Sequence, residues 1–368
     1  MELVLSDEQR LLRDSAGKFV ERHAGPKAHR RARDGASGYD AARLRQAAAT
    51  GWLGLVVPEA AGGLGLGATE LAIVAEESGR GLMTEPVAAV AAAARALVDG
   101  GNETLAAALL PKLLAGEFVI VPVLPESSGA ADAAPPFAAV AARGGLRLTG
   151  SARFVPGAAS ADGYIVPAAT RDGMALVHLP RGRVARTDAR RTVDGGGWSD
   201  LTAENLTVAA GDIVAGPNAG AATLEAMRSY LLIGLAAEML GVMEQALDLA
   251  LGYLKTRVQF NRPIGSFQAL QHRAVNDYME VELTRSLLYQ VCAAVDAGRG
   301  TPAMVAALKS RASEAVISVT KSVIQMHGAI GFTDEYDAGL YLRRAMALAV
   351  QHGDATVHRK RFAELAVG

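Results

Sequence analysis

One cysteine, Cys292, stands in a chain of 368 residues, and only 5% of the residues are aromatic. A single thiol excludes a disulfide framework and any zinc or iron–sulfur centre that needs several cysteines. Net charge is nearly absent too, since 37 Lys and Arg face 38 Asp and Glu. That balance leaves no basic excess to neutralise phosphates, which excludes nucleic acid as a partner. No uninterrupted apolar run reaches the ~18 residues of a bilayer span, because Gly, Arg or Asp breaks the Ala-rich stretches. The opening Met1-Glu2-Leu3-Val4-Leu5-Ser6 has no basic n-region or cleavage site. These absences set the expectation of a cytoplasmic, soluble protein with no membrane partner. GxSxG, a P-loop, a strand-linked GxGxxG and paired histidines are also missing, so no hydrolase, nucleotide-loop or metal motif is present.

What is present divides the chain into three. Ser6-Asp7-Glu8-Gln9 reads as a capping box opening a first helix. Helical apolar spacing continues through Tyr39–Thr50, Ala68–Gly79, Ala88–Val98 and Thr104–Leu114. Gly62-Gly63-Leu64-Gly65 follows no strand and reads as a tight loop. Near Phe118 the period changes to short β-like runs: Phe118–Leu124, Ala138–Ala142, Leu146–Thr149, Ala152–Val155, Tyr164–Ala168, Ala175–Leu179 and Thr202–Val208. After Gly216-Pro217-Asn218 four long helices follow, over Ala221–Val258, Ser266–Ala297, Pro302–Met326 and Tyr336–Leu348. The expected fold is α+β, with an N-terminal helical bundle (1–115), a middle antiparallel β-sandwich or barrel (116–215) and a C-terminal four-helix bundle (216–368).

Two segments carry chemistry. In Arg257-Val258-Gln259-Phe260-Asn261-Arg262-Pro263-Ile264-Gly265-Ser266-Phe267-Gln268 a helix ends, the chain turns and a helix begins. Arg257 at a helix C-terminus is either a solvated capping cation or a fork for a phosphate, with Phe260 as a stacking face. In Gln325-Met326-His327-Gly328-Ala329-Ile330-Gly331-Phe332 two glycines interrupt a helix, which makes either a plain helical corner or bare amides open to a ligand.

The α–β–α order, these two segments and Gly54-Leu55-Val56-Val57-Pro58-Glu59 with the glycines at 62–65 resemble the acyl-CoA dehydrogenase family over essentially the whole chain. The resemblance implies FAD, oxidation of an acyl-CoA across Cα–Cβ, and an electron-transfer flavoprotein as acceptor. It implies a tetramer, either a homotetramer or an α2β2 heterotetramer with a paralogous subunit. It also implies that Arg257 holds the FAD pyrophosphate of a neighbouring subunit, that Phe260, Ile264 and Gln268 lie along the adenine half, and that Gln325, Gly328 and Ala329 contact the cofactor across the interface. The wording at 253–257 and 266–275 is similar to partner subunits of bacterial enzymes acting on pimeloyl-type or steroid-side-chain acyl-CoAs.

The family's catalytic Glu is replaced. Its two usual positions match His352 and Leu231, and the flavin-facing motifs match Pro125–Asp132 and Phe154-Val155-Pro156, where Pro156 has no N–H to donate. Three readings follow. The chain is an active dehydrogenase whose base is Asp354 or His352, or else Glu225, Glu238 or Glu244, with Asp354 reading equally as a helix N-cap or surface Asp before Ala355-Thr356-Val357 and His352 as a structural histidine. Alternatively it is a base-deficient partner subunit, or a non-redox acyl-CoA-binding module.

Overall fold

The computed structural model describes residues 5–35, 37–125 and 134–367. Six N-terminal helices come first: α1 (Asp7–His23), α2 (Pro26–Asp34), α3 (Ala41–Ala49), α4 (Ala68–Arg80), α5 (Val87–Asp99) and α6 (Glu103–Leu114). Ser6 and Gln9 form the capping box that the spacing predicts. Asp40 and Asn102 cap α3 and α6 with side-chain oxygens on otherwise orphan amides. The pattern did not predict α2, because only Ala28, His29 and Ala32 of its nine residues are buried. The glycines at 62–65 form a tight loop, with Leu64 N–H on Gly54 O and Gly65 N–H on Val57 O.

The middle layer holds β1 (Ile120–Pro122), β2 (Phe137–Ala142), β3 (Gly145–Pro156), β4 (Gly163–Thr170), β5 (Gly173–Pro180), β6 (Ala185–Arg191), β7 (Gly197–Ala209) and β8 (Ile213–Ala215). They pair in the order β6-β7-β3-β2-β4-β5-β8, with β1 beside β4. The sheet is mostly antiparallel, but β1 and β2 both pair with β4 in parallel. The runs at 146–149 and 152–155 are one strand, β3. Register shifts after Leu148 and after Ala152 break its alternation and so hide its continuity in the sequence. The pattern also missed β6, whose Ala185–Arg191 is rich in Arg and Asp.

The C-terminal layer consists of α7 (Gly220–Thr256), the short strands β9 (Val258–Gln259) and β10 (Arg262–Pro263), then α8 (Gln268–Asp296), α9 (Pro302–His327), α10 (Ala338–Val350) and α11 (Ala355–Val367). The bundle therefore gains a fifth helix, α11, which the sequence reading left out. At its centre, α7 packs against α4, α5, α8, α9 and α10. By length and composition α7 would suffice to cross a membrane, yet 83% of its most apolar window is buried inside the protein. Its apolar surface is thus taken up by neighbouring helices on every side.

Two glycines fix how closely α4 and α7 cross. A Cβ on Gly241 would lie 1.9 Å from Glu76 O, and one on Gly79 would lie 2.1 Å from Glu238 O. This near-backbone contact sets the height of Glu238 against the N-terminal layer. Gly241→Ala is therefore expected to lower stability by roughly 1–3 kcal/mol through forced separation of the helices. A urea midpoint equal to that of the parent would show that the crossing relaxes without cost.

Candidate functional site

A cleft of about 830 Å³ opens where the three layers meet. Thr84, Glu85 and the first turn of α5 form one wall, and Leu231, Leu235 and Glu238 of α7 form another. The sheet contributes Val121, Pro122, Pro156 and the β6–β7 turn with Thr192, Asp194 and Gly196, while α10 and its following loop add Arg344, Gln351 and His352. The same face of α7 thus presents Leu231, Leu235 and Glu238, spaced three to four residues apart.

Arg344 is the cleft's central charge and is buried. It donates to Asp194 Oδ2 at 2.7 Å, to Met83 O at 3.3 Å and through Nε to Glu238 Oε1 at 2.8 Å. Its Nη2 also meets Glu238 Oε1. Burial raises the Glu238 pKa, opposed by Arg344. Burial would raise Asp194 as well, but Arg344, Thr192 Oγ1 and the Gly196 amide together hold it below the usual carboxylate range. Nearby, Glu85 pairs with Arg43 at 2.7 Å and accepts the Asp40 amide at 3.0 Å.

His352 lines the cleft, in the left-handed backbone region with φ 54°. It is buried, and burial followed by Lys309 and His358 pushes its pKa down to about 3. So weak a base does not hold a proton taken from carbon at neutral pH, which argues against His352 as base. Asp354 is displaced altogether. Its Oδ1 accepts from Thr356 N and Val357 N at 2.9 Å, so it is the exposed N-cap of α11 and no part of the cleft wall. Glu225 is held by Arg228 and Arg361, and Glu244 by Arg80 and Arg285, both outside the cleft lining. Glu238 alone of the five candidate carboxylate or imidazole bases combines cleft position with a raised pKa, yet it is spoken for on Oε1 by Arg344.

The loop that carries His352 is bound by a buried lysine that the sequence reading missed. Lys309 Nζ donates to Ser313 Oγ at 2.8 Å, Gly353 O at 2.9 Å and Ala349 O at 3.1 Å. Burial lowers its pKa to about 7. A lysine on the inward, apolar face of its helix was the signal available. His358 Nε2 donates to His352 O at 2.8 Å and closes the loop from the other side.

Arg257, Phe260, Ile264 and Gln268 come together at a projecting corner. Arg257 ends α7, and Phe260 and Asn261, both at positive φ, form the two-residue turn of the β9–β10 hairpin. Among the described residues no carboxylate meets the Arg257 side chain. Phe260 is 86% exposed, its ring 6.0 Å from that of Phe267, while Arg262 lies 4.1 Å over Phe267. Ile264 is half-buried, and Gln268 opens α8 exposed. His327 stacks between Tyr253 and Tyr336 at 4.7 and 4.8 Å, which ties the Gln325–Ala329 turn to the last turns of α7. Gln325, Gly328 and Ala329 are exposed there.

This corner suits the dinucleotide end of FAD through a guanidinium that meets no carboxylate among the described residues and an exposed aromatic face, whereas the Gly328 N–H is already spent on Gln325 O and Ile324 O. At the cleft, Pro156 offers no donor. Phe154 before it sits at φ 54° between Arg153 and Arg190, each 4.9 Å from its ring centre. Of the loop Pro125–Asp132, residues 126–132 lie outside the described residues.

The family description "Acyl-CoA dehydrogenase, N-terminal domain" matches residues 6–117, and "Acyl-CoA dehydrogenase, C-terminal domain" matches 221–366. The chain is 34% identical to the acyl-CoA dehydrogenase IpdE2 of Mycobacterium tuberculosis, over 95% of this chain and 92% of that one. It is similar to a chain of the ChsE4-ChsE5 complex from Mycobacterium tuberculosis, with TM-score 0.90 and 27% identity over 100% and 99% of the two chains. It is also similar to a chain in a structure titled for the electron transferring flavoprotein of Acidaminococcus fermentans, with TM-score 0.89 and 26% identity over the whole of both chains.

The buried His358 makes a prediction about acid stability. Burial, then Lys309, lowers its pKa from 6.5 to about 3 in the folded chain. Between those values the unfolded chain binds a proton that the native one refuses, so native stability falls as pH drops through the window. The advantage of the parent over His358→Asn is expected to shrink by roughly 1.4 kcal/mol per pH unit below 6.5. Denaturant unfolding of both proteins at pH 4 and pH 7 checks this, and a pH-independent difference would refute it.

Proposed function

We propose that this chain, which belongs to the acyl-CoA dehydrogenase family, acts in the α,β-desaturation of an acyl-CoA thioester, with electrons passed on to an electron-transfer flavoprotein. The family is FAD-dependent, and FAD when bound accepts the hydride from Cβ. The chain's own residues have separable tasks in this reading. Arg257 holds the cofactor pyrophosphate of a neighbouring subunit in a tetramer, with Phe260, Ile264 and Gln268 along the adenine half. Gln325, Gly328 and Ala329 supply the contacts across the interface. The cleft wall of Leu231, Leu235, Val87 and Pro122 takes the acyl chain and excludes water from it. What carries the reading is the Arg257 corner, a cation at the helix end that opens the hairpin, with no carboxylate near it among the described residues.

A second reading, the base-deficient half of an α2β2 assembly, is favoured by a specific observation. Leu231 and His352 occupy the two places where a carboxylate would reach Cα, and Pro156 removes a donor beside them. A relative of known structure, 27% identical, carries a title naming a two-component ChsE4-ChsE5 complex. In this reading the Arg257 corner completes the companion's cofactor site, and proton abstraction takes place in the companion.

Flavin content separates the two. Close to one FAD per chain in protein expressed alone supports the first reading, whereas a colourless chain that gains flavin only after co-purification with a paralogous dehydrogenase supports the second. In either assembly Arg257→Gln is expected to weaken flavin binding at least about tenfold, the loss of one charge-assisted bond, with circular dichroism unchanged. Full flavin retention in that variant would remove Arg257 from the cofactor site.

A further inference from the structure

The cleft has two chemically different ends. Along α7 it runs from Leu231, through Leu235, to Glu238, a span of roughly 10 Å at helical rise. His352 lies by the first end, where Arg228, one turn before Leu231, is among the charges that act on its imidazole. Arg344, eight residues before His352, grips Glu238 at the other end. The helices α7 and α10 therefore flank the cleft in opposite directions, and the inner end is fixed by their ion pair.

That inner end is polar, dry and incompletely satisfied. Glu85, with its side chain fully buried, leaves Oε2 without a partner, and Thr84 Oγ1 is buried and unpartnered too. Both residues line the cleft. Glu238 lines the same cleft end, and both of its Arg344 contacts fall on Oε1. Buried oxygens in a native protein nearly always find a partner, so two at one cleft end, Thr84 Oγ1 and Glu85 Oε2, point to a group that arrives from outside the chain. The charges define that group. Three carboxylates, of Glu85, Asp194 and Glu238, stand there against two guanidiniums, of Arg43 and Arg344. A tail that ends in a carboxylate meets like charge in a desolvated site, and a purely apolar tail leaves the oxygens unpaired.

Building on the reading of this cleft as the acyl site, we propose that its inner end selects an acyl group bearing a hydroxyl or other uncharged hydrogen-bond donor, and rejects one that ends in a carboxylate. Glu238 Oε2 accepts from the hydroxyl, and Thr84 Oγ1 donates to its oxygen. The wall from Leu231 to Leu235 takes the apolar stretch between that group and the thioester. Substrates of the dicarboxylic type are thereby disfavoured.

Three thioesters of equal chain length test this by calorimetric titration of the full chain, or of its assembly with a companion subunit: octanoyl-CoA, 8-hydroxyoctanoyl-CoA and octanedioyl-CoA. The hydroxylated ligand is expected to bind roughly ten- to a hundredfold more tightly than octanoyl-CoA, as for a hydrogen bond to a buried charged group, and octanedioyl-CoA more weakly than either. Glu238→Gln should erase most of the hydroxyl advantage and improve octanedioyl-CoA binding. Thr84→Val, which removes a hydroxyl unpartnered among the described residues and leaves the Arg344 pairs intact, should reduce the ratio of 8-hydroxyoctanoyl-CoA to octanoyl-CoA affinity severalfold. Equal binding of octanoyl- and 8-hydroxyoctanoyl-CoA, or preference for octanedioyl-CoA, overturns the selectivity. Failure of all three to bind instead overturns the assignment of the cleft as an acyl site.

Discussion

One guanidinium joins the three layers of this protein. Arg344 on α10 bonds to Glu238 on α7, to Met83 O between α4 and α5, and to Asp194 in the β6–β7 turn. Each partner belongs to a different part of the chain, and the cleft is the space left around that junction. Removal of either carboxylate would strand a buried charge, which is far more costly than the pair is stabilising. The junction therefore defines cleft geometry more than it adds stability. The glycine-mediated crossing of α4 and α7 works with it, because backbone in contact with backbone leaves Glu238 no freedom to move along the cleft.

A second buried cation governs the other end. Lys309 ties Ala349 O and Gly353 O to α9, and His358 holds His352 O. The loop where the family keeps a carboxylate is thus rigid, but it presents a neutral imidazole to the cleft. Cofactor binding and acyl binding are consequently unequal in this chain. The Arg257 corner is exposed and meets no carboxylate among the described residues, while the cleft presents a buried imidazole at one end and a buried ion-pair cluster at the other.

The helices and most strands were legible because each has a periodic pattern or a cap of its own. Ser6, Asp40 and Asn102 mark helix starts in the sequence and cap helices in the structure. Elements without such signals were missed: α2, with three buried residues, β6, rich in arginine, and α11, whose opening Asp354 was read either as a base or as an N-cap. Asp354 shows why a site is harder to read than a fold. An acid followed by a helix caps that helix with its own backbone amides two and three residues on, and this local bond outcompetes any role in a cleft that it does not face.

By itself the sequence determined the α–β–α order, the family, and the corner formed by Arg257, Phe260, Ile264 and Gln268, since these depend on residues close together in the chain. It also determined that Leu231 and His352 stand where a carboxylate is expected. Only the tertiary structure decided which charges face the cleft. Arg344, Glu238, Asp194, Glu85 and Thr84 are separated by as many as 260 residues, and their ion pairs and unsatisfied oxygens exist only once three layers bury them together. Burial raises the Glu238 pKa and leaves the Glu85 and Thr84 oxygens without partners among the described residues, and burial is a property of the packed chain that no local pattern encodes.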